Sequence, residues 1–433
     1  EAARFTYNSG SDTYTKTFTP TTYYNTTGIG KIGFLIKAKD GNGDKKSQDI
    51  LTEVGSFQVT LNTPAQNSTT ILASGGSLNI KASNTNGVAN YNLKANGTSI
   101  NTAAATASYA FNHTNITGNQ NYELEVTQGT TTIVKKFTAV VSPTVVSETI
   151  PAGLVDGINY NPNDATKATL VLDAPLKDFV YVAGSFNNWQ PTAAYAMKKD
   201  ASAGSTKFWL ELTGLTAGTN YTYQYWVVDQ TPLAGSPSLV KAADPYSTLV
   251  LSPYDDGGIP ATSFPNLPAY PSGQEREVTW FKTGQTPYAW SQATLNFVKP
   301  AKEKLVVYEV LVRDFDARRN FQDLIDKIDY FKNLKVNAIQ LMPVMEFEGN
   351  ESWGYNTSFH MALDKFYGTP EKLKELIDLY HQNGIAVILD VALNHAFGRN
   401  YMVRTWMNDP DGDGFGSAAT ENPYFNTVVN QSY

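Results

Sequence analysis

At 433 residues, with 41% hydrophobic side chains and only 17% charged ones, the chain has the composition of a folded protein of several domains and not of a disordered one. Its 33 Lys and Arg stand against 40 Asp and Glu, a net charge of −7 without a basic run, which excludes the phosphate neutralisation that nucleic acid binding demands. No run of about 18 apolar residues is present to span a membrane, and the absence of cysteine removes disulfides and thiolate metal sites.

Residues 1–57 carry short alternating runs such as "GKIGFLIKAKD" and predict a partial β domain, with a hairpin turn in "KDGNGDKK" at 39–46. Over 58–145, "SLNIKAS", "YNLKANG", "NYELEVTQG" and "TTIVKKFTAVV" alternate with period two between Asn and Gly turns, which predicts an immunoglobulin-like antiparallel sandwich. The aperiodic, proline-bearing "VSPTVVSETIPAG" is a linker. A further sandwich is predicted over 150–260 from "ATLVLDAP", "DFVYVAGSFNNW", "TKFWLELTGL" and "NYTYQYWVVD", and 261–300, with Pro, Gly and scattered aromatics, reads as a connector.

Near residue 303 the pattern changes. "EKLVVYEVLVRDF" is the continuous apolar run of a strand covered on both faces. "NFQDLIDKIDYFKNL" then repeats apolar residues at helical spacing, and "VNAIQLMPV" is a second buried strand. The next helix, in "GTPEKLKELIDLYHQNG", has Thr369 as N-cap, Pro370 in its first turn and Gly384 as its stop, and "IAVILDVALNH" is a third strand. Strand, helix, strand, helix, strand predicts parallel βαβ units, in a (β/α)₈ barrel or an open doubly wound sheet. In both, chemistry sits at the C-terminal ends of the strands. These ends read "VRDFD", "MPVMEFEGNESWGYN" and "DVALNH", and while a lone polar group there often only caps a loop, three agreeing ends point to a site.

"DVALNH", arriving after "WGYN" and "GTPEKLKELIDLYHQNGI" and before "ENPYFN", resembles the α-amylase superfamily, glycoside hydrolase family 13, over about 305–426. The resemblance implies that 301–433 hold the first three strands of a (β/α)₈ TIM barrel and the start of its inserted domain. It implies an α-glucan such as starch, glycogen or a maltooligosaccharide as partner. Tyr355 would stack under the sugar beside the scissile bond, His395 would donate a hydrogen bond to that sugar, Asp390 would organise the network beneath, and Asn394 matches a position that ligates calcium. Retaining hydrolysis of α-1,4 bonds is the first expectation, branching or debranching the second, and a non-catalytic α-glucan-binding surface protein the reading from another class. Cleavage with retention needs two carboxyl groups about 5–5.5 Å apart. The family carries them on the fourth and fifth barrel strands, so the nucleophilic Asp and the acid Glu are expected beyond Tyr433 and the 433 residues alone are expected to be inactive. A pairing of Glu346 or Glu348 with Asp390 has no family pattern behind it.

"VAGSFNNWQP", "YQYWVVD" and "ADPYS" resemble the starch-binding early-set domain that precedes such barrels, which implies Trp189 as a stacking residue; where that domain usually has a second tryptophan this chain reads "QTPLAGSPS". In "DPDGDGFGSAATE", Asp409, Asp411 and Asp413 are spaced like the first ligands of a calcium loop, yet position twelve is Thr420 and Glu421 comes one residue late, so calcium and a solvated acidic turn both stand. Trp353 is expected to pack its loop, and His113, His360 and His381 are expected as single surface histidines. Asn/Thr-rich sandwiches ahead of such a barrel, in a chain that opens at Glu1, fit a secreted, periplasmic or cell-surface protein.

Overall fold

The computed structural model describes residues 5–10, 13–25, 31–34, 37–39, 44–46, 50–53, 55, 57–410, 412 and 414–426. Strand outweighs helix, 36% against 13%, so the chain is mostly β. It divides into two compact units, Glu1–Val141 and Ser142–Tyr433. No helix among the described residues is long and apolar enough to cross a membrane.

In the first unit the period-two pattern becomes two facing sheets. One has the order Thr98–Thr106, Ala89–Ala95, Gln120–Gln128, Thr131–Val141 and Thr69–Leu72; the other runs Ser108–Ile116, Gly76–Asn84, Val59–Thr63. Alternate residues turn inward, so Ile80, Leu93, Leu124 and Val126 are fully buried between the sheets. Tyr91 stacks on Tyr109 and Tyr122 on Phe137, at 5.3 and 4.9 Å between centroids. Their hydroxyls are satisfied at the rim of the core: Tyr109 donates to Asn101 at 2.9 Å and Tyr122 lies 2.7 Å from His113 Nδ1. His113 is therefore a partner of the core and not the lone surface group expected from the sequence. Ahead of this sandwich, Lys37–Lys39 pairs antiparallel with Asp44–Lys46, and residues 40–43 of the expected turn lie outside the described residues.

The second unit opens with another pair of sheets. Gly157–Tyr160, Ala168–Asp173, Lys207–Leu212 and Lys198–Lys199 form one; Phe179–Gly184, Tyr221–Val228, Val278–Phe281 and Val250–Leu251 form the other, with Leu239–Ala242 also on Tyr221–Val228. Val278–Phe281 corrects the predicted connector 261–300: its Val278, Thr279 and Phe281 are buried and it pairs with two strands of the sheet. Its short β-branched and aromatic run was masked by the Pro and Gly around it. Past the third parallel strand the chain places Tyr401 and Trp406 in the sandwich core, where Tyr401 donates to Asp173 O and Trp406 to Pro175 O, both at 2.8 Å.

Three parallel strands follow in sheet order Val307–Val310, Ala338–Leu341, Ala386–Leu389, in the register Val307, Ala338, Ala386. Phe321, Leu324, Phe331, Leu376 and Tyr380 cover one face. The helix Pro370–Gln382 starts as predicted, with the Thr369 hydroxyl accepting from Lys372 N at 3.1 Å, and ends at Gly384 with φ 72°. The preceding helix is split into Phe321–Asp326 and Ile328–Asn333, and at the break Leu324 O accepts from Lys327 N at 3.3 Å and from the Tyr380 hydroxyl at 2.9 Å. The third strand ends at Leu389 and not at His395 as its apolar run predicts. On its outer side no described strand pairs with it, so the backbone after Leu389 is released into a loop.

Candidate functional site

The strand ends and one hairpin build the site. Met345–Phe347 and Thr357–Leu363 pair antiparallel and enclose the loop that holds "WGYN". Asn356 Nδ2 closes the neck of this loop on Glu348 O at 2.9 Å, and Gly354 N bonds Ser352 Oγ at 2.9 Å. Gly354 has φ 91°, and a Cβ there would fall 2.2 Å from Pro343 O, so only glycine lets the loop approach the second strand end this closely. That approach delivers the next residue, Tyr355, to the third strand end, where its hydroxyl donates to Asp390 Oδ2 at 2.7 Å. Asp390 in turn is fixed by its own N–H on Leu341 O at 2.9 Å.

Tyr355 and Asp390 are both half-buried. Donation to the Asp390 carboxylate, then burial, then the negative charges of Asp390 and Glu309 push the Tyr355 phenol up to about 12, so it remains a donor at all ordinary pH. Glu309, the next-to-last residue of the first strand, accepts from Gln340 Nε2 at 3.3 Å; in the sheet register it faces the same side as Asp390. A ring held by its hydroxyl can offer its face to an apolar disc, and a carboxylate beside it can accept from hydroxyl groups. Such an arrangement can bind and orient a polyol; by itself it breaks no bond. Glu346 and Glu348 do not pair with Asp390. Glu346 is buried against Lys365, and Glu348 accepts from Arg399 N at 3.0 Å.

Asn394 and His395 lie on the loop after Asp390, the former exposed and the latter half-buried. Trp353 is 63% exposed and does not pack its loop, because Gly354 and Ser352 turn the loop without it. Trp189 lies on the sandwich, in the turn after Phe179–Gly184, with φ 58°, an uncommon left-handed conformation for a bulky side chain. The turn imposes it: Trp189 N bonds Gly184 O at 2.9 Å, while Asn187 bridges Gly184 N and Val182 O at 2.8 and 2.9 Å.

Asp411 and Asp413 lie outside the described residues. Asp409 is buried and its carboxylate accepts from Gly414 N at 2.9 Å, a local turn bond. Among the described residues, which do not include Asp411 and Asp413, no three His, Cys, Asp or Glu side chains gather to hold a metal ion.

Two features had no signal in the sequence. Lys365, 1% exposed, is ion-paired with Glu346 and stands 3.4 Å from Asp256, and Arg399 is bonded to Asp255 and stands 3.6 Å from Glu277. These pairs join the segments 252–258 and 275–277 to the hairpin and to the loop after Asp390. His360 and His381 are not single surface groups either. His360 is bonded to His395 O and Asn400, and His381 stacks on Phe297 at 3.9 Å.

A family model, the alpha amylase catalytic domain, matches residues 314–413. The malto-oligosyltrehalose trehalohydrolase of Saccharolobus solfataricus is 40% identical over 110 residues, 25% of this chain and 20% of that protein. Alpha-amylase 3 of Dictyoglomus thermophilum is 36% identical over 107 residues, 24% and 21% of the two chains. The 1,4-alpha-glucan branching enzyme of Corynebacterium diphtheriae is 28% identical over 219 residues, 50% of this chain and 26% of that protein. The matches thus span 20% to 26% of these relatives' lengths. The region matched contains Tyr355, Asp390, Asn394 and His395, and over it the chain is similar to the catalytic domain of the α-amylase family of glycoside hydrolases.

Proposed function

We propose that the chain is the glucan-holding part of an enzyme acting on α-glucans, with retaining hydrolysis of α-1,4 bonds as the activity of the whole protein. The observation that carries this is the 2.7 Å bond between Tyr355, at the tip of a glycine-set loop, and Asp390, at the end of the third parallel strand. In this reading the three strands begin a (β/α)₈ barrel, the C-terminal ends of which form the sugar site. A glucose ring lies on the Tyr355 face, His395 donates to it, and Asp390 holds the phenol while accepting from sugar hydroxyls. The two carboxyl groups that cut belong to the fourth and fifth strands of such a barrel, while Tyr355, Asp390 and His395 hold the sugar. On the sandwich, the backbone strain at Trp189 supports a role for its indole in stacking on the same glucan, since strained positions cluster at ligand-binding sites. Branching is the second reading, favoured by one observation: the match to the C. diphtheriae enzyme is 219 residues long and so reaches well beyond 314–413.

Calorimetric titration of maltoheptaose into the full chain tests the proposal. Binding that falls at least tenfold, about 1.4 kcal/mol, in Tyr355→Ala with an unchanged melting temperature supports it. A wild-type chain that takes up no maltoheptaose sinks it.

A further inference from the structure

We propose that His360 is a positioning residue for the sugar site: by donating a hydrogen bond to the backbone carbonyl of His395, it sets where the loop after Asp390 presents its side chains. The inference rests on the glucan reading above.

His360 lies on Thr357–Leu363, the strand that leaves the Tyr355 loop. Its Nε2 is 3.2 Å from His395 O, and its Nδ1 is 3.3 Å from Asn400 Nδ2. Hydrogen counting assigns the ring. A carbonyl oxygen only accepts, so Nε2 carries the hydrogen; an amide nitrogen only donates, so Nδ1 is bare. The orientation of Asn400 is itself fixed. Its Oδ1 accepts from Met402 N at 2.8 Å as the N-cap of Tyr401–Arg404, and its Nδ2 donates to Ser358 O at 2.7 Å as well as to the ring. Turning the amide over would set Nδ2 against Met402 N–H and Oδ1 against Ser358 O. Both amide hydrogens and both ring nitrogens are therefore engaged in a region where Asn400 is buried. Burial also disfavours a second proton on the His360 ring.

The bonds that tie the loop to this strand include Phe397 N to Thr357 O at 3.0 Å, Asn400 to Ser358 O, and His395 O to His360. The last of these engages the backbone of His395 itself. The same hairpin thus fixes both sides of the site, Tyr355 through Asp390 at one end and His395 through His360 at the other. Alanine at 360 removes the donor from the His395 carbonyl and the acceptor from Asn400 while leaving the other ties in place. Glutamine carries an acceptor and a donor on one planar group and can restore both.

The test titrates maltoheptaose into the full chain as wild type, Tyr355→Ala, His360→Ala and His360→Gln, with thermal melts of each and ¹⁵N-histidine NMR of the wild type. His360→Ala is expected to weaken binding at least fivefold with the melt unchanged, and His360→Gln to return within twofold of wild type. The wild-type spectrum should show His360 neutral with its hydrogen on Nε2. If His360→Ala binds within twofold of wild type while Tyr355→Ala does not bind, the glucan reading stands and the positioning role is overturned. That role is equally overturned if His360→Gln binds as poorly as His360→Ala, or if His360 is an imidazolium or carries its hydrogen on Nδ1, a readout that holds even where the alanine variant fails to fold. A wild-type chain without affinity for maltoheptaose overturns both.

Discussion

The sandwich of residues 57–141 and the parallel-sheet region of residues 305–400 place similar side chains in opposite positions. In the sandwich, Leu93, Leu124 and Val126 are buried between two sheets, while the ion pair Lys94–Glu125, at 2.6 Å, is half-buried and Lys136–Glu123, at 2.8 Å, is exposed. In the parallel-sheet region the edges are apolar and exposed, with Val307 on the first strand and Leu389, Val391 and, at 77% exposure, Leu393 on and after the third. Besides exposed pairs on its helices such as Lys332–Asp329, it carries charge inside, where Lys365 meets Glu346 and Asp256. The first region covers its own apolar surface and is built to stand by itself. The second leaves apolar edges for further structure to cover and uses buried charge to register one segment against another.

The largest expected effect comes from separating the two. Residues 57–141 expressed alone should be soluble and unfold in one cooperative transition, because every strand of both sheets is present. Residues 301–433 alone should aggregate or be cut rapidly by protease, since separation adds the bare Tyr401 and Trp406, which belong in the other sandwich's core, to the exposed strand edges. Limited proteolysis and sedimentation decide the matter. A soluble, protease-resistant 301–433 would break the comparison.

Next in size is the loss of a cation from each region. Lys365→Met in the full chain leaves Glu346 and Asp256 buried without their partner, and breaking such a pair costs about 3–5 kcal/mol. Lys136→Met removes the exposed pair with Glu123, worth about 0–1 kcal/mol. Denaturant titration should show the first variant far below wild type and the second close to it. Equal losses would mean that burial does not distinguish the two pairs.

What could be read from the sequence follows the same division. The sandwich strands and the helix from Pro370 were legible, because alternation, the Thr369 cap and the Gly384 stop are local signals. Tyr355 and Asp390 stood out as candidates because each lies in a short motif at or near a strand end, and the structure brings them together in one hydrogen bond. Trp406, Lys365 and His360 were not. Each finds its partners in segments distant in sequence or on the far side of a turn, and no spacing within the chain announces that Trp406 fills the core around Leu170 and Phe208 or that His360 faces the carbonyl of His395. Leu393 misled, since its apolar run reads as strand while the backbone there has no neighbour to pair with.

The smallest expected effect is one of pH, and it has opposite sign in the two regions. Burial raises the Glu346 carboxyl to about 7 and raises Asp364 beside it as well, while the Lys365 charge pulls both back. Between the ordinary carboxyl value near 4.5 and about 7, the folded chain keeps a proton that the unfolded chain releases, so this contribution to stability is complete at low pH and is lost as pH rises through the folded value. In the sandwich, the Lys94 ammonium holds Glu125 below its usual value and burial holds His113 below its own, so there stability is lost as pH falls. His360 and His381, lowered by burial, oppose Glu346 within its own unit, so the raw pH profile mixes signs. The difference between wild type and Glu346→Gln separates them, because glutamine keeps the shape and cannot ionise. Denaturation midpoints of the full chain at pH 5 and pH 8 should show wild type losing more stability on going to pH 8 than Glu346→Gln does, while the excised sandwich loses none over that range. If the variant and wild type move in parallel, Glu346 is already ionised in the fold and the Lys365 charge, not burial, governs it.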